Sequence, residues 1–400
     1  MAAHAERAAG AAAEEQLRAI LERARRLESS QRGLSATESL QPPPLVLYGA
    51  GPLARMTLAH LRRIGVAPLA VADGNEARWG AEFEGYRILP PAEAVRRFAV
   101  SARFAVTIYN GSAIRNQLMR MGCTRVMHFA DLYFEHAAEF LPYCGLAARG
   151  VVLDAAQAVL GAASVWHDER SVREYLAQIE WRLRLTGAQP PRHDPPAECY
   201  FPAGIYRYLA DEVLFDCGAF DGDSIRQFLA RRAETGDPRI VAFEPDAGSF
   251  ARLGDFVGSL PKERSQRIRI EPYALAERDG DVPFAALGSV QSGIDETGDN
   301  KVRAIALDSL DAAPTLIKMD VEGFELAALK GAARTIARHM PVLAISLYHH
   351  AADLWTIPSY LKAMTPDYRL FLRRYAEDCW EQVLYAVPAA RLAGVGAARA

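Results

Sequence analysis

Two stretches of this 400-residue chain concentrate the residue types that can do chemistry. The first is Val213-Leu-Phe-Asp-Cys-Gly-Ala-Phe-Asp-Gly-Asp-Ser224, strand-formers running into an acid and two glycines. Asp216 and Gly218 stand where a buried parallel strand would end and its helix begin, the usual ligand crevice of an open α/β sheet. Gly218 and Gly222 have no Cβ, so the backbone there can turn sharply and approach a ligand. Ala219, Phe220 and Asp223 complete the loop. The pattern is D-x-G-x-x-x-G and not the dinucleotide fingerprint G-x-G-x-x-G, because Asp216 stands in place of the first glycine. An acid at that point repels a pyrophosphate. It suits a cationic ligand such as the amino group and sulfonium of S-adenosylmethionine.

The second stretch is Thr315-Leu-Ile-Lys-Met-Asp-Val-Glu-Gly-Phe-Glu325. Read as a strand end, it alternates Lys318, Asp320 and Glu322 on one side with Met319 and Val321 on the other. Three charges at the mouth of a parallel sheet are costly unless they pair with one another or serve chemistry. A strand from Val342 to Leu347 delivers Tyr348, His349 and His350 to the same edge. Between the two stretches, Arg239-Ile-Val-Ala-Phe-Glu244 ends on an acid followed by Pro245 and Asp246. A carboxylate at the end of a second parallel strand can accept hydrogen bonds from both hydroxyls of a ribose, and Asp246 is placed to share that task. After a third strand, Arg267–Tyr273, the residues Tyr273, Ala274 and Leu275 are positioned to line an adenine.

Positioning these groups requires a sheet. Strands at 213–217, 239–244, 267–273, 315–320 and 342–347 alternate with helices, the pattern of parallel strands covered on both faces. Two terminal strands, Tyr368–Tyr375 and Trp380–Val387, joined by a polar turn, complete a mixed seven-stranded sheet. Segments 282–287 and 301–307 read as a hairpin around a loop with Ser289, Gln291 and Ser292, a cover for the ligand or a solvent-exposed connection. A smaller Rossmann-like α/β unit is expected ahead of this, because Leu45–Tyr48 runs into Gly49-Ala-Gly51 and a second strand ends at Asp73. Gly49, Gly51 and Asp73 form a candidate second nucleotide site. A ligand-free module for packing or dimerisation is the preferred reading, since a single glycine-rich turn is weak evidence. The expected divisions are a helical extension (1–43), the Rossmann-like domain (44–135), a helical connector with a Pro-rich linker (136–197), the larger domain (198–390) and a flexible tail (391–400). The extension carries Leu17, Ile20, Leu21, Ala24 and Leu27 near helical spacing, a stripe that could dock on the body or on a second copy.

Composition narrows the classes. A net charge of −3 gives no general attraction to nucleic acid or an anionic membrane. The five cysteines are scattered, without a C-x-x-C pair, so neither a disulfide framework nor a zinc cluster is indicated. No apolar run is long enough to span a bilayer, and a cytoplasmic protein is expected.

Asp216–Gly222, Ala242-Phe-Glu-Pro245, Leu307-Asp-Ser-Leu310 and Ile317–Glu325 together resemble the FkbM family of methyltransferases over about residues 198–390. The resemblance implies a class I methyltransferase fold, S-adenosylmethionine as methyl donor, and a hydroxyl acceptor on a sugar or natural product. It implies that Gly218 and Glu244 contact the cofactor and that Asp320 and Glu322 border the acceptor. Asp320 or His349, with His350 as a further candidate, is then expected to take the acceptor proton, and Glu322 and Lys318 to orient the acceptor. Two carboxylates without an evident third ligand make a weak case for a divalent metal, and none is expected. The rivals are a nicotinamide-dependent oxidoreductase using the Gly49–Asp73 turn, and a non-catalytic scaffold retaining a cofactor-binding fold.

Overall fold

A computed structural model of the chain describes residues 2–34, 43–185, 190–232, 238–285, 293–294 and 300–393. They divide into two compact units. One comprises Ala19–Ala156 and Ile179–Pro190, the other Met1–Arg18, Gln157–Gln178 and Pro191–Ala400.

In the first unit the strands are β1 (Leu45–Tyr48), β2 (Ala70–Ala72), β3 (Glu82–Phe83), β4 (Tyr86–Leu89), β5 (Arg103–Val106) and β6 (Val126–His128). Their spatial order is β3-β4-β2-β1-β5-β6, and every neighbouring pair except β3 with β4 is parallel. β1 and β2 are buried along their whole length, which is why they read as unbroken apolar runs rather than alternating ones. The order reverses between β1 and β5, so the crevice of this sheet opens at Gly49–Gly51, where Pro52 begins the helix Pro52–Arg63.

The second unit contains β7 (Val213–Cys217), β8 (Arg239–Phe243) and β9 (Ile268–Glu271), then β10 (Ala274–Leu275), β11 (Gly280–Ala285), β12 (Gly293–Ile294) and β13 (Asn300–Ile305). It continues with β14 (Leu316–Met319), β15 (Val342–Ser346), β16 (Arg369–Arg374) and β17 (Gln382–Val387). Seven of them form one sheet in the order β9-β8-β7-β14-β15-β17-β16. β17 runs antiparallel to both neighbours and the other pairs are parallel. This is the mixed seven-stranded sheet anticipated from the strand pattern. Leu214, Ile240, Leu316 and Val342, buried on one face, pack with Ile225 and Phe228 of the helix Asp223–Arg231. Each such side chain contributes roughly 2 kcal/mol by leaving water. The strand order reverses between β7 and β14, which opens the crevice at the carboxyl ends of those two strands.

The third strand is shorter than expected. Pro272, which cannot donate to a ladder, follows Glu271, and Ala274–Leu275 leaves to pair with β13 in a separate four-stranded sheet. β11 and β13 pair antiparallel as anticipated, and Ser289, Gln291 and Ser292 lie outside the described residues. Within the expected helical connector lie the short helices Arg149–Asp154 and Ala156–Ala162. The connector is not a separate piece. From the helix Glu169–Arg182, Ser171 accepts the Leu372 N–H, Glu174 accepts from Arg374 at 2.7 Å, and Gln178 donates to the Asp378 carbonyl. Among the described residues no helix is long and apolar enough to cross a membrane.

Candidate active site

The crevice is pinned by a buried ion pair. Asp216 on β7 and Lys318 on β14 stand opposite one another in register, both buried, with Nζ 3.2 Å from Oδ1. Lys318 also donates to the Gly218 carbonyl, and Asp216 accepts from the Ser224 hydroxyl. Burial raises the Asp216 carboxyl, and Lys318 only partly offsets it. Burial works against the Lys318 ammonium, yet Asp216, Asp320 and Asp223 more than compensate and hold it charged. The expected roles of these two residues therefore need correction. Asp216 does not present an open negative charge to a cationic ligand, because Lys318 neutralises it. Lys318 cannot orient an acceptor, because its ammonium is spent inside the protein. Together they fix the strand ends that bear the reactive loops.

Gly218 explains how closely those loops meet. It has φ +79°, and a Cβ there would lie 1.8 Å from the Asp320 carbonyl oxygen. Only glycine lets the loop after β7 rest against the loop after β14. Gly222, at φ +88°, is required for packing, since a Cβ would strike the Phe256 ring at 2.5 Å. Phe220 is half-buried with Arg252 over its ring at 5.2 Å, Ala219 is fully buried and Asp223 is exposed.

Glu244 at the end of β8 accepts the Phe220 N–H through Oε2 and the Asp246 N–H through Oε1, each at 2.8 Å. Each oxygen retains a lone pair for a hydroxyl. Burial pushes its carboxyl up to about 7 despite those donors. Pro245 follows at the strand end. The Asp246 side chain caps the helix Ala247–Ser259 by accepting the Ser249 N–H, so its local task is the helix start. Tyr273 is half-buried, and Ala274 and Leu275 are buried in the small sheet.

β14 ends at Met319, and the backbone then turns through Glu322 at φ +53° and Gly323 at φ +97°. This corrects the expected alternation: a left-handed turn, and not strand pleating, sets Glu322. Asp320 accepts from Tyr200 at 2.8 Å and from Tyr348 at 3.4 Å. His349 lies among three carboxylates. Its Nε2 is 3.4 Å from Asp320 and 3.5 Å from Glu322, and its Nδ1 is 2.8 Å from Glu325. Burial alone would lower the imidazole, but Glu325, Asp320 and Glu322 together raise it to about 10. Burial acts upward on Asp320 too, and His349 with Lys318 outweighs it, holding that carboxyl below its ordinary value. Glu322 is pushed up to about 8, chiefly by burial. An imidazole already carrying its proton is no base, so His349 is not the proton acceptor at neutral pH. His350 is exposed, its Nε2 on the Gly323 carbonyl, and its N–H is capped by Asp353; it stands apart from this cluster.

Three contributors escaped the sequence reading. Tyr200 reaches Asp320 from 120 residues away in the chain and carries no local signal. Glu325 is fully buried and accepts the Val321 N–H, a role its place in the 317–325 motif could have suggested. Glu381, pushed up to about 7 by burial and by Asp320, adds another acid beside Cys199. None of the five cysteines is in a disulfide.

In the first unit, Asp73 accepts the Ala50 N–H and the Asn75 N–H at 2.7 Å each, and Arg78 lies 3.7 Å away. Gly49 is required because a Cβ would meet Ile108 at 2.7 Å, whereas nothing lies within 4 Å of one at Gly51. Both carboxylate oxygens and Gly49 thus serve the turn itself, the same arrangement Glu244 makes in the other sheet.

Residues 216–379 match the Methyltransferase FkbM domain. Among solved structures, the methyltransferase FkbM from Methylobacillus flagellatus KT superposes with a TM-score of 0.68 at 25% identity, covering 86% of this chain and 90% of that one. The SAH-bound methyltransferase PaMTH1 of Podospora anserina is more distant, with a TM-score of 0.26, 12% identity and coverage of 44% of this chain and 71% of that one. None of the curated proteins matches the chain by sequence.

Proposed function

We propose, from the premise that residues 216–379 are a methyltransferase FkbM domain, that the chain transfers a methyl group from S-adenosylmethionine to a hydroxyl of a sugar or natural product. When bound, the cofactor supplies an electrophilic methyl for in-line displacement. The residues present fit it. Glu244 keeps lone pairs for the ribose hydroxyls, the Gly218–Phe220 backbone lies against it, and Tyr273 to Leu275 follow the next strand end. The observation that carries the reading is the contact of the Gly218 backbone with the Asp320 carbonyl. It joins the loop suited to the donor to the acidic loop suited to an acceptor, as alignment-driven catalysis requires.

The side chains of this chain then divide the work. Lys318 and Asp216 hold the two strand ends. Tyr200 and Tyr348 fix Asp320, which faces the acceptor as an anion. Glu322 is the most exposed of the clustered acids around His349, with 30% of its side chain accessible against 20% for Asp320. It is the carboxylate an acceptor hydroxyl can reach, and its ionised form, which grows as the pH rises toward about 8, is the one we assign to take the proton. Further expectations are a cytoplasmic protein acting on small molecules, without nucleic acid or membrane, and capable of pairing with a second copy.

The test is calorimetric titration with S-adenosylmethionine, followed by transfer of labelled methyl to a panel of hydroxylated sugars and natural products. An O-methyl product identified by mass spectrometry is the expected result. No affinity for the cofactor, together with thermal stabilisation by NADH, would overturn the reading in favour of an oxidoreductase.

A further inference from the structure

The His349 cluster has more ligand capacity than proton transfer needs. Asp320, Glu325 and His349 each offer a ligand atom, and these atoms all lie within 4.8 Å of one another. His349 is 7% exposed and Glu325 0%. Neither ring nitrogen of His349 has a hydrogen-bond partner, and neither does Oε2 of Glu325. Proximity of Nδ1 to Glu325 at 2.8 Å is not aligned as a hydrogen bond. Buried polar atoms are ordinarily satisfied, and orphans gathered in one cluster call for an unseen occupant. Two carboxylates, Asp320 and Glu325, outnumber the single imidazole, so even an imidazolium leaves the cluster negative.

We propose that Asp320, Glu325 and His349 bind a divalent cation. The inference rests on the methyl-transfer reading only for its consequence. Two carboxylates and one imidazole are a donor set for borderline first-row ions such as Mn²⁺, Fe²⁺ or Zn²⁺, rather than for an ion that demands oxygen alone. The loop is built to present Glu325. Its Oε1 is occupied by the Val321 N–H at 2.9 Å, which leaves Oε2 for the ion. Three protein ligands leave coordination positions open, and these would take hydroxyl oxygens of the acceptor. The acceptor class sharpens accordingly, to compounds with two adjacent hydroxyls that can chelate.

The full chain is stripped with EDTA, freed of chelator and titrated with Mn²⁺, following the free-ion signal by electron paramagnetic resonance and the heat by calorimetry. One ion per chain is expected. His349→Ala should weaken its affinity at least about tenfold, and Glu325→Gln, which keeps the acceptor for the Val321 N–H, should weaken it by a similar factor. Affinity for S-adenosylmethionine in both variants reports that they are folded. No uptake of Mn²⁺ by the wild type up to about 1 mM, or equal uptake by wild type and His349→Ala, overturns the proposal and leaves the cluster an internal ion network. The stripped wild type separates the two readings. Cofactor affinity without ion uptake defeats this inference alone, and loss of cofactor affinity with ion uptake intact defeats the methyl-transfer reading alone.

Discussion

The two parallel sheets of this chain solve the same local problem with the same device. At the reversal of strand order, each has a glycine-bearing turn after its first strand and an acid at the end of its second. Asp73 takes the N–H of Ala50 in the turn and of Asn75 two residues on. Glu244 takes the N–H of Phe220 and of Asp246, again two residues on. The acid is therefore first a part of the fold, tying strand end to turn, and its presence alone does not mark a reaction. The sheets differ at the strands beyond the reversal. β5 is followed by Thr107, whose hydroxyl is turned back onto the Tyr48 and Gly49 carbonyls. β14 and β15 are followed by Asp320, Glu322, Glu325 and His349. The crevice is generic, and the chemistry arrives from its far side.

That contrast can be broken at several points. The largest expected effect is on turnover: Asp320→Asn should cut methyl transfer by roughly 10²–10³-fold while cofactor affinity changes little. Single-turnover assays with labelled cofactor, beside calorimetry, check both halves. Turnover within twofold or so of wild type would remove Asp320 from the mechanism.

Next comes the buried pair. Lys318→Met leaves Asp216 charged and alone, which should cost about 3–5 kcal/mol in urea unfolding. Asp216→Asn combined with Lys318→Met should recover much of that. The matching cut in the other unit, Arg78→Ala beside Asp73, removes a half-exposed partner and should cost under about 1 kcal/mol. Equal losses in the two units would erase the distinction.

Glycine substitutions sharpen it further. Gly218→Ala meets both a left-handed φ and the Asp320 carbonyl, and should lower stability by about 3 kcal/mol. Gly51→Ala, with open space around the new methyl, should change it by less than about 1 kcal/mol. Thermal denaturation of the two variants side by side is the measurement.

Smaller still is the ligand effect of the two acids. Glu244→Ala should weaken S-adenosylmethionine binding about tenfold, the worth of one charged hydrogen-bond acceptor, and Asp73→Ala should leave it unchanged. Finally, burial raises the Glu244 carboxyl from 4.5 to about 7. An acid raised on folding binds its proton more tightly in the native state. Its contribution is therefore full below pH 4.5 and lost as the pH rises through 7. Apoprotein stability should fall by up to about 3 kcal/mol across that window on this account, and Glu244→Gln should flatten the decline. A wild-type profile that the Gln variant reproduces would remove Glu244 as its source.

Much of this was legible in the chain itself. Parallel strands buried on both faces leave uninterrupted apolar runs, so 213–217, 239–243 and 342–346 could be bounded closely from residue types alone. The loop residues Asp216 and Gly218 and the 317–325 motif were visible because their spacing is local. Tyr200 was not visible, because its bond to Asp320 joins residues 120 apart. Nor was the neutralisation of Asp216, which depends on the register of β7 against β14, a pairing no local pattern records.

Residue order determined which side chains end each strand, since the two-residue pleat and the glycine turns follow from short-range sterics. Only the folded chain decided what those side chains do. Charge and burial depend on neighbours brought together by long-range packing. Those neighbours make Lys318 a strut and His349 a buried cation, and leave Glu322 at the surface of the crevice.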